Sequence, residues 1–178
     1  MNREKLNILE ERLEGKNSHR LKFTNSLGVS LSTNEVVFEM VKFMAANTTK
    51  PYKVTIGSDS QIYKNLTTDF VSAIVVHRIG NGGRYFWRRI VSKKKFYSLH
   101  DRMLEEVMLS LSVAKEFLAE CERENIPQFD FEIHVDIGSV GETNTMIQEL
   151  VGMIRAHNFE AKTKPESYAA SNIADRRV

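Results

Sequence analysis

A single cysteine among 178 residues excludes any disulfide within the chain, so burial alone must hold the fold together. Cys121 falls in a stretch of helical periodicity and reads as a buried or half-buried reduced thiol, not a nucleophile. No apolar run approaches the length of a membrane span, and the charged N-terminus carries no signal-peptide pattern. The expected location is therefore cytoplasmic. Charge of one sign is scarce too: 25 Lys and Arg against 23 Asp and Glu leave a net +2. That is too little to argue for nucleic acid through bulk electrostatics, and only a local concentration of charge can do so. Internal repeats and low-complexity tracts are absent. What remains is an ordinary globular balance, 42% hydrophobic and 27% charged, at a length suited to one domain with room for a small appendage.

The chain is organised around Lys53-Val-Thr-Ile-Gly-Ser-Asp-Ser-Gln61. Val54 and Ile56 alternate with Thr55 and Gly57, which predicts a strand that delivers Asp59 among small residues. Gly57 has no side chain to obstruct a close approach. Taken alone, Ser58-Asp59-Ser60 is an ordinary polar turn. A second copy of the pattern changes its meaning: Phe131-Glu-Ile-His-Val-Asp136-Ile-Gly138 is another apolar strand that ends on an acid and a glycine. Two strand-end carboxylates suggest one metal-binding centre.

Residues 1 to about 16 carry Leu6, Leu9 and Leu13 at helical spacing, and Gly15 to about Asn25 is expected to be a loop. Ser32-Thr-Asn-Glu35 has capping-box spacing ahead of the stripe Val37, Met40, Val41 and Met44, which predicts a helix from Thr33 to Asn47. After the Asp59 strand and a turn at Lys64-Asn65, the stretches from Asp69 to Ile79 and from Arg84 to Ser92 are strand-like. Asn81-Gly82-Gly83 is the turn between them. A long helix from Leu99 to Asn125 follows, with Leu104, Val107, Met108, Leu111, Ala114 and Leu118 on its apolar side. Then come the Asp136 strand, a helix from Glu142 to His157, a short strand from Phe159 to Lys164, and a final helix introduced by Pro165.

Three hairpin-joined strands followed by crossover helices imply an α/β fold with a five-stranded mixed sheet in the order 3-2-1-4-5, helices on both faces and an extra N-terminal helix. Asp59 and Asp136 then lie on neighbouring strands at the end where ligands of parallel sheets collect. The long helix offers Glu105 or Glu106 as a third acid. Glu106 is followed by Ser110 and Ala114, small residues that let that flank approach the sheet. Glu105 is followed by bulkier Leu109 and Val113. Acids near a helix start are also favoured by the helix dipole without any function. Asp175, on a small-residue segment with Ser171 one turn before it, would ordinarily be called a surface acid.

These residues resemble the ribonuclease H-like superfamily in strand order and in the placement of the acids. Ile56-Gly-Ser-Asp-Ser-Gln61, His134-Val-Asp-Ile-Gly138 with Gly141 and Thr143, and Lys164-Pro-Glu-Ser-Tyr-Ala-Ala-Ser-Asn-Ile-Ala-Asp175-Arg176 resemble more closely the YkuK family of predicted ribonuclease H-like nucleases. The resemblance runs from about Lys22 to the C-terminus. It divides the chain into residues 1–25, a charged helix and polar loop, and residues 26–178, a ribonuclease H-like domain. It implies that Asp59, Glu106, Asp136 and Asp175 bind two Mg²⁺ or Mn²⁺ ions and hydrolyse phosphodiester bonds in RNA or an RNA/DNA hybrid.

Arg88, Arg89, Lys93, Lys94 and Lys95, with Phe86, Trp87 and Tyr97 among them, form the densest basic-aromatic segment. Such a segment suits phosphate contact and base stacking, and equally an edge strand protected from aggregation by charge. His134 and His100 are candidate bases, although a strand histidine is more often simply hydrogen-bonded. No Cys/His cluster supports zinc. Gly138 to Thr143 opens a helix but lacks the lysine of a P-loop, so a tight turn is the expectation. A non-catalytic nucleic-acid or protein-binding module is the alternative function. A similarity of the two Asp-Gly exits to the phosphate loops of actin-like ATPases carries little weight, because those enzymes need two such domains.

Overall fold

The computed structural model describes residues 21–64, 67–124, 126–137, 143–167 and 172–174. The expected N-terminal helix, the Gly138–Gly141 turn and Asp175 lie outside the described residues, as does most of the segment that follows Pro165. The elements in chain order are β1 (Lys22–Asn25), β2 (Ser30–Ser32), α1 (Thr33–Ala45), β3 (Tyr52–Ile62), β4 (Thr68–Arg78), β5 (Gly83–Ser92), α2 (Leu99–Arg123), β6 (Asp130–Val135), α3 (Thr143–Ala156) and β7 (Glu160–Lys162).

The strands make one mixed sheet in the order β2-β1-β5-β4-β3-β6-β7. Its inner part, β5-β4-β3-β6-β7, is the expected meander followed by parallel crossovers. The sheet nevertheless has seven strands, not five, because a β1–β2 hairpin adds to the β5 side. Thr24 pairs with Trp87 and Asn25 with Phe86. Residues 22–25 are therefore sheet where a loop was expected. Phe23, buried at 1% exposure, is the apolar anchor of a strand too short and polar to show alternation. The hairpin covers β5 only at Phe86 and Trp87, so Arg88 and Arg89 lie just past the paired stretch.

β3 and β6 are held together by what their facing residues bury. Ile56 and Ile133 are register partners in the parallel ladder, and both are fully buried. Each such side chain contributes roughly 1.5–3 kcal/mol of apolar burial. On the same face of the sheet, Val54 and Ile56 meet the apolar side of α2, where Val107, Leu111, Ala114 and Phe117 belong to one core. Met108, expected in that stripe, is instead half-exposed, and Met103 takes its place in the core.

α1 begins at Ser32 with the expected capping box: the Glu35 carboxylate accepts from the Ser32 backbone N–H at 2.6 Å. Its predicted stripe of Val37, Met40, Val41 and Met44 is buried. α2 packs against both α1 and α3, so the three helices share one face. Two right-handed crossovers that step the same way along a sheet must land on the same side. The opposite face, bearing Thr55, Val75 and His77, is met by Asn172 and Ile173 among the described residues.

A carboxylate site at the ends of the parallel strands

β6 stops at Val135, paired with Ser58, while β3 runs on to Ile62 against β4. The next step of the parallel register sets Asp59 beside Asp136, where β3 has lost its neighbour and opens to solvent. A cavity of about 290 Å³ lies there, lined by Asp59, Asp136 and, from α2, Leu99, Arg102, Met103 and Glu106. Three acids from three distant parts of the chain thus face one space. Glu105 does not: it is more exposed and pairs with Lys94 at 3.3 Å. The small-residue flank explains the choice. Ser110, one turn beyond Glu106, is buried and donates to Ser58 Oγ at 3.0 Å, and Ser58 lies 2.8 Å from Ser72 on β4. This chain of hydroxyls lets α2 sit close to the sheet.

Glu106 is 4% exposed, and its surroundings define its chemistry. Ser60 Oγ donates to Oε1 at 2.5 Å, and the Arg102 guanidinium stands 3.6 Å away. Burial pushes the Glu106 carboxyl up to about 7, the hydroxyl of Ser60 pulls against that, and the charges of Asp59 and Asp136 add to the rise. Arg102 is fixed in turn, donating to Ser60 O and Ser60 Oγ, both at 2.9 Å. Asp136 has its own counter-charge in the Lys164 ammonium, 2.7 Å from Oδ1.

Hard carboxylate oxygens around one cavity are the donor type that suits Mg²⁺ or Mn²⁺. Among the described residues, no group of three or more acids, histidines or cysteines is arranged to hold an ion. Glu106 is instead turned toward Ser60 and Arg102, and Asp136 toward Lys164. The residue types fit a divalent cation, and a cationic side chain stands against each of these two acids.

Ser60, Arg102 and Lys164 were not singled out from the sequence. Arg102 precedes Glu106 by one helical turn, so an ion pair was legible there. Lys164 had no comparable signal, because the β6–α3–β7 crossover brings it in.

The basic segment divides by contact. Arg88 is half-buried with its charge toward Glu116 of α2. Arg89 pairs with the buried Asp69. Lys94 lies over the Phe96 ring at 4.9 Å besides meeting Glu105. Lys93, Lys95 and Tyr97 are exposed in the connection between β5 and α2, beside the cavity-lining Leu99. Of the two candidate histidines, His134 is buried with Nε2 3.2 Å from Glu132, and burial lowers its pKa. His100 is more exposed and bridges to Glu149 of α3 at 3.0 Å.

Fold and site define a member of a known class. A ribonuclease H-like family model matches residues 35–178, and the chain belongs to that family. It is also 29% identical over 164 residues to the uncharacterized protein YkuK of Bacillus subtilis (strain 168), covering 86% of this chain and 95% of that one. No solved structure matches. Among the described residues no helix is long and apolar enough to cross a membrane.

Proposed function

We propose that this protein is a metal-dependent nuclease that hydrolyses phosphodiester bonds in RNA or an RNA/DNA hybrid. The observation that carries this reading is the meeting of Asp59, Glu106 and Asp136 around one cavity, in a chain of the ribonuclease H-like family. Together with Asp175 they would hold two Mg²⁺ or Mn²⁺ ions, which when bound activate a water for in-line attack and stabilise the leaving 3′ oxygen.

The chain's own residues do the rest. Asp59 presents its oxygens from within β3, still paired to β4, and Asp136 from the residue just past the end of β6. Ser60 and Arg102 orient Glu106 and stabilise its ionised form. Lys93, Lys94 and Lys95, with Arg88 and Arg89 behind them on β5, supply positive charge for the substrate backbone next to the cavity. A half-buried arginine facing Glu116 and another paired with Asp69 can give less to the substrate than the exposed lysines. RNA or hybrid as the preferred substrate rests on the family resemblance.

Asn in place of Asp59 or Asp136 keeps the shape and removes a charge. Either variant should remain folded, by circular dichroism, and lose several orders of magnitude of Mn²⁺-dependent cleavage of RNA or hybrid. A non-catalytic binding module would show nucleic-acid affinity that depends on the lysines and ignores both substitutions.

A further inference from the structure

Lys164 leaves the end of β7 with its backbone N–H donating to Ile137 O at 3.1 Å, which ties it to the residue after Asp136. Its ammonium reaches Asp136 Oδ1 at 2.7 Å, yet among the described residues that oxygen, itself out of solvent, receives no hydrogen bond of good geometry. The contact is therefore charge against charge, without the direction that makes a bond hard to replace. The two partners also differ in exposure: the lysine side chain is 56% exposed and the aspartate 18%, so water reaches the cation more readily than the anion. Across the cavity, two hydrogen bonds to Ser60 hold Arg102 beside Glu106. A divalent ion offers Asp136 twice the charge and direct coordination of a hard oxygen, so it should win the exchange.

We propose that Lys164 is the exchangeable counter-cation of this site: it neutralises Asp136 until a divalent ion takes its place, and the released ammonium then contacts the substrate phosphate at the cavity mouth. The inference rests on the nuclease reading, because it takes Asp136 to be a metal ligand. It gives Lys164 a part in both metal affinity and turnover, which a purely structural surface lysine would not have.

Calorimetric titration of the full chain with Mn²⁺, on wild type, Lys164→Met, Lys164→Arg and Asp136→Asn, separates the possibilities. An exposed ion pair is worth up to about 1 kcal/mol, so removing the competitor in Lys164→Met should tighten Mn²⁺ binding about two- to fivefold. Lys164→Arg should bind Mn²⁺ like wild type, and Asp136→Asn should bind it far more weakly. At saturating Mn²⁺ the methionine variant should cleave RNA roughly tenfold or more slowly, with part of the rate restored by arginine. Mn²⁺ affinity that is unchanged or weaker in a folded Lys164→Met overturns the exchange. Unimpaired turnover in that variant overturns the phosphate contact. If wild type and Asp136→Asn alike fail to bind Mn²⁺, the metal reading itself falls and the exchange with it.

Discussion

Ser60 Oγ donates to Glu106 Oε1 at 2.5 Å and accepts from Arg102 at 2.9 Å, so one hydroxyl on β3 joins the acid and the base of α2. This is the point where the sheet sets the geometry of the helix-borne carboxylate. Ser60→Ala should leave Glu106 buried without its donor and push its pKa higher still. A buried acceptor left without its partner costs roughly 1–3 kcal/mol, and the cost should be larger when the carboxylate is ionised. Urea unfolding at pH 8 and pH 5 checks this: the variant should lose more stability at pH 8.

Glu106 itself makes the metal-free protein sensitive to pH. Its folded-state pKa of about 7 lies above the ordinary value of 4.5, so the native state binds more protons than the unfolded state between those limits. Stability contributed by Glu106 is then present at low pH and lost as pH rises toward 7, by roughly 3 kcal/mol in all. Glu106→Gln should flatten the wild-type decline between pH 5 and pH 8 in melting experiments. A cation bound among the carboxylates favours the ionised form, so Mn²⁺ should stabilise wild type more at pH 8 than at pH 5.5.

The two neighbouring glutamates should separate cleanly. Glu105 pairs with Lys94 near the surface, an interaction screened by solvent, so Glu105→Gln should change stability by no more than about 0.5 kcal/mol and leave cleavage near wild type. Glu106→Gln should keep the fold and lose most cleavage. Paired measurements of melting temperature and cleavage rate test the assignment, and the reverse pattern would show that the other helix face carries the chemistry.

The basic segment predicts two different phenotypes. Lys93 and Lys95 replaced by Gln should weaken nucleic-acid binding across sequences and lower its salt dependence by about one unit of slope for each phosphate no longer neutralised. Stability should not change. Arg89→Gln leaves the nearly fully buried Asp69 without its counter-charge and should cost roughly 1–3 kcal/mol of stability. Fluorescence anisotropy at several salt concentrations, beside thermal melts, distinguishes the two. Affinity and slope unmoved by the lysine changes would remove them from the substrate path.

What the sequence could reveal followed from periodicity and connection length. β3 and β6 had to be neighbours because hairpins consume β4 and β5 on one side and a helical crossover returns on the other. Ile56 and Ile133 marked the faces that join. Glu106 could be chosen over Glu105 because Ser110 and Ala114 leave room for the sheet. The β1–β2 hairpin was illegible for the opposite reason: Lys22–Asn25 and Ser30–Ser32 are too short to establish a period, and pairing with β5 supplies what their sequence does not. Lys164 was hidden because its place depends on where β7 ends, which depends in turn on the α3 crossover. Ser60 differs again. Alternation put it on the apolar side of β3, and only the approach of α2 turned that position into a carboxylate's donor.

The claim that these acids form a catalytic centre is tested most directly by incubating the purified full chain with Mn²⁺ and end-labelled RNA, RNA/DNA hybrid and DNA, beside Asp59→Asn and Asp136→Asn. Mn²⁺-dependent cleavage of RNA or hybrid by wild type, lost in both folded variants, is the predicted result. Folded wild type that cleaves none of the three, or variants that cleave as fast as wild type, would contradict it.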